Sequence, residues 1–112
     1  MKLDTKPLAD DAGVIVTVPG KHLDVGNSKS FREALQPVLE DNATVLLDLS
    51  EVDFIDSSGL GSLLSCLRTM NAKDGDLRLF GMRKPVQAMF ELVRMHRLFA
   101  IYDTEDEACA AL

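Results

Sequence analysis

A chain that carries TVLLDLS at residues 44–50 has to bury a strand on both of its faces. The run is apolar without alternation and opens on β-branched residues, the pattern of a strand inside a parallel or mixed sheet. Helices must then cover both sides, and the flanking sequence supplies them. Phe31, Ala34, Leu35, Val38 and Leu39 recur at the spacing of one helical face over about residues 31–40, with Ser30 and Glu33 at capping-box spacing ahead of it. Pro37 inside that pattern predicts a kink or an early end, since an interior proline costs about 3 kcal/mol. Leu60, Leu63, Leu64 and Leu67 form a second stripe, with Ser62, Ser65 and Thr69 turned away from it. Pro85 suits the first turn of a third helix, whose apolar face is Val86, Met89, Phe90 and Val93. Thr104 and Glu107 repeat the capping-box spacing ahead of a terminal helix.

Further strands are predicted at KLDTKPL and VIVTV, joined by the turn ADDAG, and at DLRLF (76–80) and AIY (100–102). The order is β-β-α-β-α-β-α-β-α. That order predicts an α/β fold: one small domain over residues 1–112, with a mixed, mostly parallel sheet of four or five strands flanked by about four helices.

Composition narrows what such a domain does. The 112 residues carry a net charge of −6, which argues against nucleic acid or an anionic membrane as partner, because phosphate contact needs clustered Lys and Arg. No apolar run reaches the roughly 18 residues of a membrane span, and the N-terminus lacks the apolar core of a signal peptide, so a cytoplasmic location is expected. Cys66 and Cys109 form no CxxC pair, and His22 and His96 are distant from both in sequence. They read as free thiols in a reducing compartment, with no metal site and no cofactor. Glu105, Asp106 and Glu107 suit a helix N-terminus rather than a metal, and Met82, Met89 and Met95 read as packing.

The stretch FIDSSGLGSLL, residues 54–64, puts hydroxyls and glycines where a strand passes into a helix. In open α/β sheets such loops, at the carboxyl ends of strands, hold the ligand and partner sites. GKHLDVGN, residues 20–27, occupies an equivalent position before the first helix. Three readings of Ser57 and Ser58 are open. Either hydroxyl caps the helix, an effect worth about 1 kcal/mol. Either acts as a nucleophile, although the elbow motif needs a glycine two residues earlier, where Ile55 and Asp56 stand. GxxxxGK[ST], GxGxxG and HExxH are also missing, and Asp24 with Asp56 is a weak acid–base pair. Or a serine accepts a phosphate, which adds about −1.5 to −2 charge at a helix end that tolerates an anion.

The run VLLDLSEVDFIDSSGLGSLL, residues 45–64, closely resembles the core of the anti-sigma factor antagonists, STAS-domain proteins of bacterial partner-switching systems. LDVGN at 23–27 resembles the family's loop before its first helix, and KPVQAMFELVRMHRLFAIYDTEDEACAAL resembles its C-terminal third. The resemblance implies a small mixed sheet flanked by helices and no catalytic residue. It implies that the unphosphorylated form binds a serine kinase that doubles as an anti-sigma factor. Phosphorylation of Ser57 then releases the partner, and a serine phosphatase reverses the modification. By the same resemblance Asp24 faces a basic residue of the kinase, and Ser58 belongs to the same contact surface. Asn27, Asp56, Gly59, Leu60 and Gly61 complete the expected surface, with Leu60 also placed on a core stripe. GKHLD carries one residue more than the common GxLD form, Pro37 is unusual, and MHR at 95–97 replaces a small residue and glycine. The alternatives are a STAS scaffold subunit of a transport or signalling complex that works without phosphorylation, and a small hydrolase using Ser57 or Ser58.

Overall fold

The computed structural model describes residues 1–9 and 12–112. Five strands form one sheet: β1 (Asp4–Pro7), β2 (Val14–Thr17), β4 (Thr44–Asp48), β6 (Asp76–Phe80) and β7 (Ala100–Tyr102), in the order β1-β2-β4-β6-β7. β1 pairs antiparallel with β2 and the other pairs are parallel, so the sheet is mixed and mostly parallel as expected. The turn expected at ADDAG includes Asp10 and Asp11, which lie outside the described residues. On either side of them, the Leu8 amide donates to the Gly13 carbonyl and closes the hairpin.

Central β4 is buried on both faces. Val45 and Leu47 join the main core with Leu35, Leu63, Leu79 and Phe90, while Leu46 joins a smaller cluster with Leu8, Ile15, Phe80 and Ala108. Three helices therefore cover one face, α1 (Ser28–Asp41), α2 (Ser57–Ala72) and α3 (Lys84–Leu92), and α4 (Glu105–Ala110) lies on the other. Thr104 caps α4, its Oγ1 accepting from the Glu107 amide. Phe90 and Phe99 meet edge-to-face, 5.8 Å between ring centres, beneath α3.

Four local expectations change. Helix α1 starts at Ser28, so Ser30 lies inside it and the Ser30–Glu33 pair is no capping box. The helix also runs through Pro37 to Asp41. Pro37 is exposed to solvent, while Phe31, Leu35 and Leu39 hold the opposite side in the core, and that packing outweighs the lost hydrogen bond. Ser62 faces inward at 2% exposure because α1 packs there, and its buried hydroxyl finds an acceptor in the Ser28 carbonyl at 3.3 Å. Val93 lies beyond the end of α3 and is exposed, since Arg94 turns left-handed (φ 61°) and redirects the chain. The C-terminus of α1 is closed from outside: Lys73 Nζ donates to the carbonyls of Leu39, Glu40 and Asn42 at 2.6–3.1 Å.

Candidate functional site

Two strands of two residues each, absent from the sequence reading, build the site. β3 (His22–Leu23) and β5 (Phe54–Ile55) pair in parallel, His22 against Phe54 and Leu23 against Ile55. Their inward residues, Leu23 and Ile55, are core, and the outward pair is exposed. The ribbon extends through the Asp53 amide, which donates to the Lys21 carbonyl at 2.7 Å. The loops after β2 and β4, which the sequence left as separate segments, are thereby joined.

Asp56 locks them. Its Oδ1 accepts from the Gly59 amide at 3.0 Å, which caps α2, and its Oδ2 accepts from the Val25 amide at 3.1 Å in the other loop. The Gly59 amide first, and the Val25 amide with it, hold the Asp56 carboxyl below its ordinary value of 3.8. A group stabilised in its charged form contributes stability above the unfolded value and loses it as pH falls through the folded one. Denaturant midpoints followed from neutral to acid pH should therefore fall less steeply for Asp56→Asn than for the wild type. Equal slopes would remove Asp56 from the acid transition.

With Asp56 as the cap, neither serine has that task. Ser57 is the first residue of α2 and is exposed, while Ser58 is half-buried. Among the described residues, no hydrogen bond engages either hydroxyl. The capping reading of these serines is thus corrected: three good cap residues stand in a row, and Asp56 alone has the register to reach the Gly59 amide.

The other loop is wound tightly. Asp24 Oδ1 accepts from the Gly26 amide at 2.9 Å, and the Asp24 carbonyl accepts from the Ser28 amide at 2.8 Å, which starts α1. Asn27 works inside this loop. Its Oδ1 accepts from the Asp24 amide at 2.9 Å and its Nδ2 donates to the His22 carbonyl at 2.8 Å, so it positions Asp24. His22 Nε2 lies 3.9 Å from Asp24 Oδ2. Arg83 ties down the connection before β5, with Nε donating to the Ser50 carbonyl at 2.7 Å and an ion pair to Asp53 at 3.2 Å.

Gly59 is buried where α2 touches β3: an added Cβ would stand 2.1 Å from the Leu23 carbonyl oxygen and 2.7 Å from Ile55 Cγ1. Leu60, expected on the contact surface, is 3% exposed and belongs to the core, so it supports the site from below. Gly61 is the opposite of Gly59, exposed, with nothing within 4 Å of an added Cβ. Its missing side chain leaves α2 flat beside Ser57. Two residues escaped the sequence reading altogether. Val25 is 77% exposed and Phe54 is 56% exposed. The hint for Val25 was a lone aliphatic residue in a polar loop; for Phe54 it was alternation with buried Ile55.

The arrangement is a surface that carries the Asp24 and Asp56 carboxylates beside the helix end that bears the Ser57 hydroxyl. Ser57 lines none of the surface recesses of about 230–360 Å³. Among the described residues no three His, Cys, Asp or Glu side chains form a group suited to a metal, and no helix is long and apolar enough to cross a membrane. Cys66 and Cys109 are free, and burial pushes the Cys66 thiol up to about 12, which makes it inert at neutral pH.

Known proteins resemble this chain along most of its length. The anti-sigma-B factor antagonist of Staphylococcus aureus is 28% identical over 102 residues, covering 90% of this chain and 94% of that protein. The anti-sigma F factor antagonist of Paenibacillus polymyxa is 26% identical over 102 residues, covering 89% and 87%. Among solved structures, the STAS domain protein of Planctomyces limnophilus superposes with a TM-score of 0.87 at 17% identity, covering 97% of this chain and 96% of that one. The Bacillus cell fate determinant SpoIIAA, in its phosphorylated form, gives 0.71 at 19% identity, with 98% of each chain covered. Residues 5–108 match the family described as the STAS domain, and the chain belongs to it.

Proposed function

We propose that this protein is a phosphorylation-controlled binding switch, an anti-sigma factor antagonist whose unmodified form docks on a serine kinase that is also an anti-sigma factor. The observation that carries the reading is the division of labour in DSS: Asp56 caps the helix, which leaves the Ser57 hydroxyl exposed and unengaged at the N-terminus of a 16-residue helix. The dipole and free amide groups there accommodate an added phosphate. Asp56 ties the loop that carries Asp24 to the start of α2, and these carboxylates with the flat strip at Ser58 and Gly61 suit a protein carrying basic groups. Phosphate on Ser57 adds negative charge to an anionic surface and repels that partner, while the cap at Asp56 keeps the fold intact. The relatives named as anti-sigma factor antagonists support the reading, as does the SpoIIAA structure described as phosphorylated. The cycle needs a serine phosphatase to restore the docking form, and it runs in the cytoplasm by binding rather than turnover.

Incubation with ATP and each kinase-like protein of the host, followed by intact-mass and peptide mass spectrometry, tests it. One phosphate on Ser57, absent from Ser57→Ala, is expected. A stable complex with no phosphate under any candidate kinase would overturn the switch in favour of an unregulated STAS scaffold.

A further inference from the structure

The site holds two large apolar side chains that neither capping nor phosphate acceptance uses. Phe54 is 56% exposed on the outer face of the β3–β5 ribbon, opposite His22, and Val25 is 77% exposed in the loop that Asp56 ties to α2. Neither serves the core, whose work on these elements is done by Leu23 and Ile55, at 0% and 1% exposure. Both backbones are nonetheless held firmly. The Phe54 amide donates to the Lys21 carbonyl at 3.2 Å, and the Val25 amide donates to Asp56 Oδ2 at 3.1 Å. A rigid, exposed aromatic ring loses little conformational freedom on contact and is the type of residue that dominates binding energy.

The charges around them are mostly negative. EVDFID, residues 51–56, carries three carboxylates and no cation, and Asp24 adds a fourth from the other loop. Arg83 neutralises Asp53, and Lys21 and His22 are the neighbouring basic side chains. With Asp53 paired and Asp24 3.9 Å from His22 Nε2, Glu51 and Asp56 are left without an ion-pair partner among the described residues, beside two apolar anchors.

We infer that Phe54 and Val25 are the apolar anchors of the docking surface, and that they seat in a hydrophobic recess of the partner rimmed by Lys or Arg. The inference rests on the proposed function and names the chemistry of its partner. Ser57 carries the switch, and the anchors carry the affinity. Their contact is made equally before and during phosphoryl transfer, so its loss raises KM and leaves kcat in place.

Steady-state phosphorylation of the full chain by the kinase found in the mass-spectrometric screen tests this. Phe54→Ala is expected to raise KM at least tenfold and Val25→Ser several-fold, both with unchanged kcat. Phe54→Leu should recover part of the loss. Leu92→Ser is the control: Leu92 is 76% exposed, but α3 runs back from the end of β6 toward the start of β7, which places it at the opposite end of the sheet. Thermal unfolding of each variant should match the wild type, since these side chains are exposed. Wild-type phosphorylation with the same KM for Phe54→Ala and Val25→Ser would overturn the anchors and leave the switch standing. Loss of kcat alone would assign Phe54 to alignment of Ser57 and overturn them as well. No phosphorylation of the wild type would instead sink the underlying switch.

Discussion

Gly59→Val is expected to lower the melting temperature by about 10 °C or more, the largest effect of a single substitution near the site. The added Cβ would stand 2.1 Å from the Leu23 carbonyl oxygen and 2.9 Å from its carbon, both backbone atoms of β3. Backbone cannot rotate away as a side-chain tip can. Either α2 shifts outward or the β3–β5 ribbon does, and each movement opens the core at Leu23, Ile55 and Leu63. Overpacking of this kind typically costs about 1–3 kcal/mol, and more where backbone must move. For a domain near this size each kcal/mol is worth several degrees. Shifting α2 would also pull the Gly59 amide from Asp56 and so loosen the tie to Val25. Gly61→Ala separates this from loss of a helical glycine in general. It meets nothing within 4 Å, and alanine is the better helix former by about 1 kcal/mol, so its melting temperature should rise. A Gly59→Val protein that melts with the wild type would contradict the close approach of helix and loop.

How far the sequence was legible follows from length and register. The five strands of the main sheet and the four helices were readable because each carries enough residues to show a period or a continuous apolar run. β3 and β5 were not, because two residues have no period; yet they join the loops into a site. The start of α1 was misread for a similar reason. Ser30 and Glu33 have the right spacing, but the Asp24 carbonyl takes the Ser28 amide and begins the helix earlier, a contact set by the winding of the preceding loop. At the site, capping was read onto Ser57 or Ser58, while the residue before them, Asp56, is the cap. Sequence distinguishes their chemistry poorly; geometry distinguishes it well, because capping by Asp56 also reaches Val25, 31 residues away in the chain. Ser62 shows the limit of the stripe argument. A serine beside an apolar stripe reads as solvent-facing until a second helix brings it a buried carbonyl. Val25 and Phe54 show the converse, apolar residues whose exposure no single element dictates.

Ser57→Asp is expected to push stability and binding in opposite directions, and that opposition is the sharpest test of the switch. The aspartate would stand in the first turn of α2, where the helix dipole favours a negative charge by about 0.3–1 kcal/mol. Nothing packs on the exposed Ser57 side chain, so no core contact is lost. The denaturant midpoint should hold or rise slightly. Affinity for the kinase should fall at least tenfold. The new charge adds to Asp24, Glu51 and Asp56 at a surface proposed to meet basic residues, and it brings a strongly hydrated group into the contact. One tenfold step corresponds to about 1.4 kcal/mol, less than like-charge and desolvation costs commonly reach at an interface. The full phosphate, with about twice the charge of a carboxylate, should weaken binding further. Ser57→Ala should bind as the unmodified protein does and accept no phosphate. Parallel loss of stability and affinity in the aspartate variant would mean that the hydroxyl serves the fold. Affinity indifferent to both changes would make the protein a constitutive scaffold. Affinity lost with stability retained is the outcome that the free hydroxyl beside a separate cap leads us to expect.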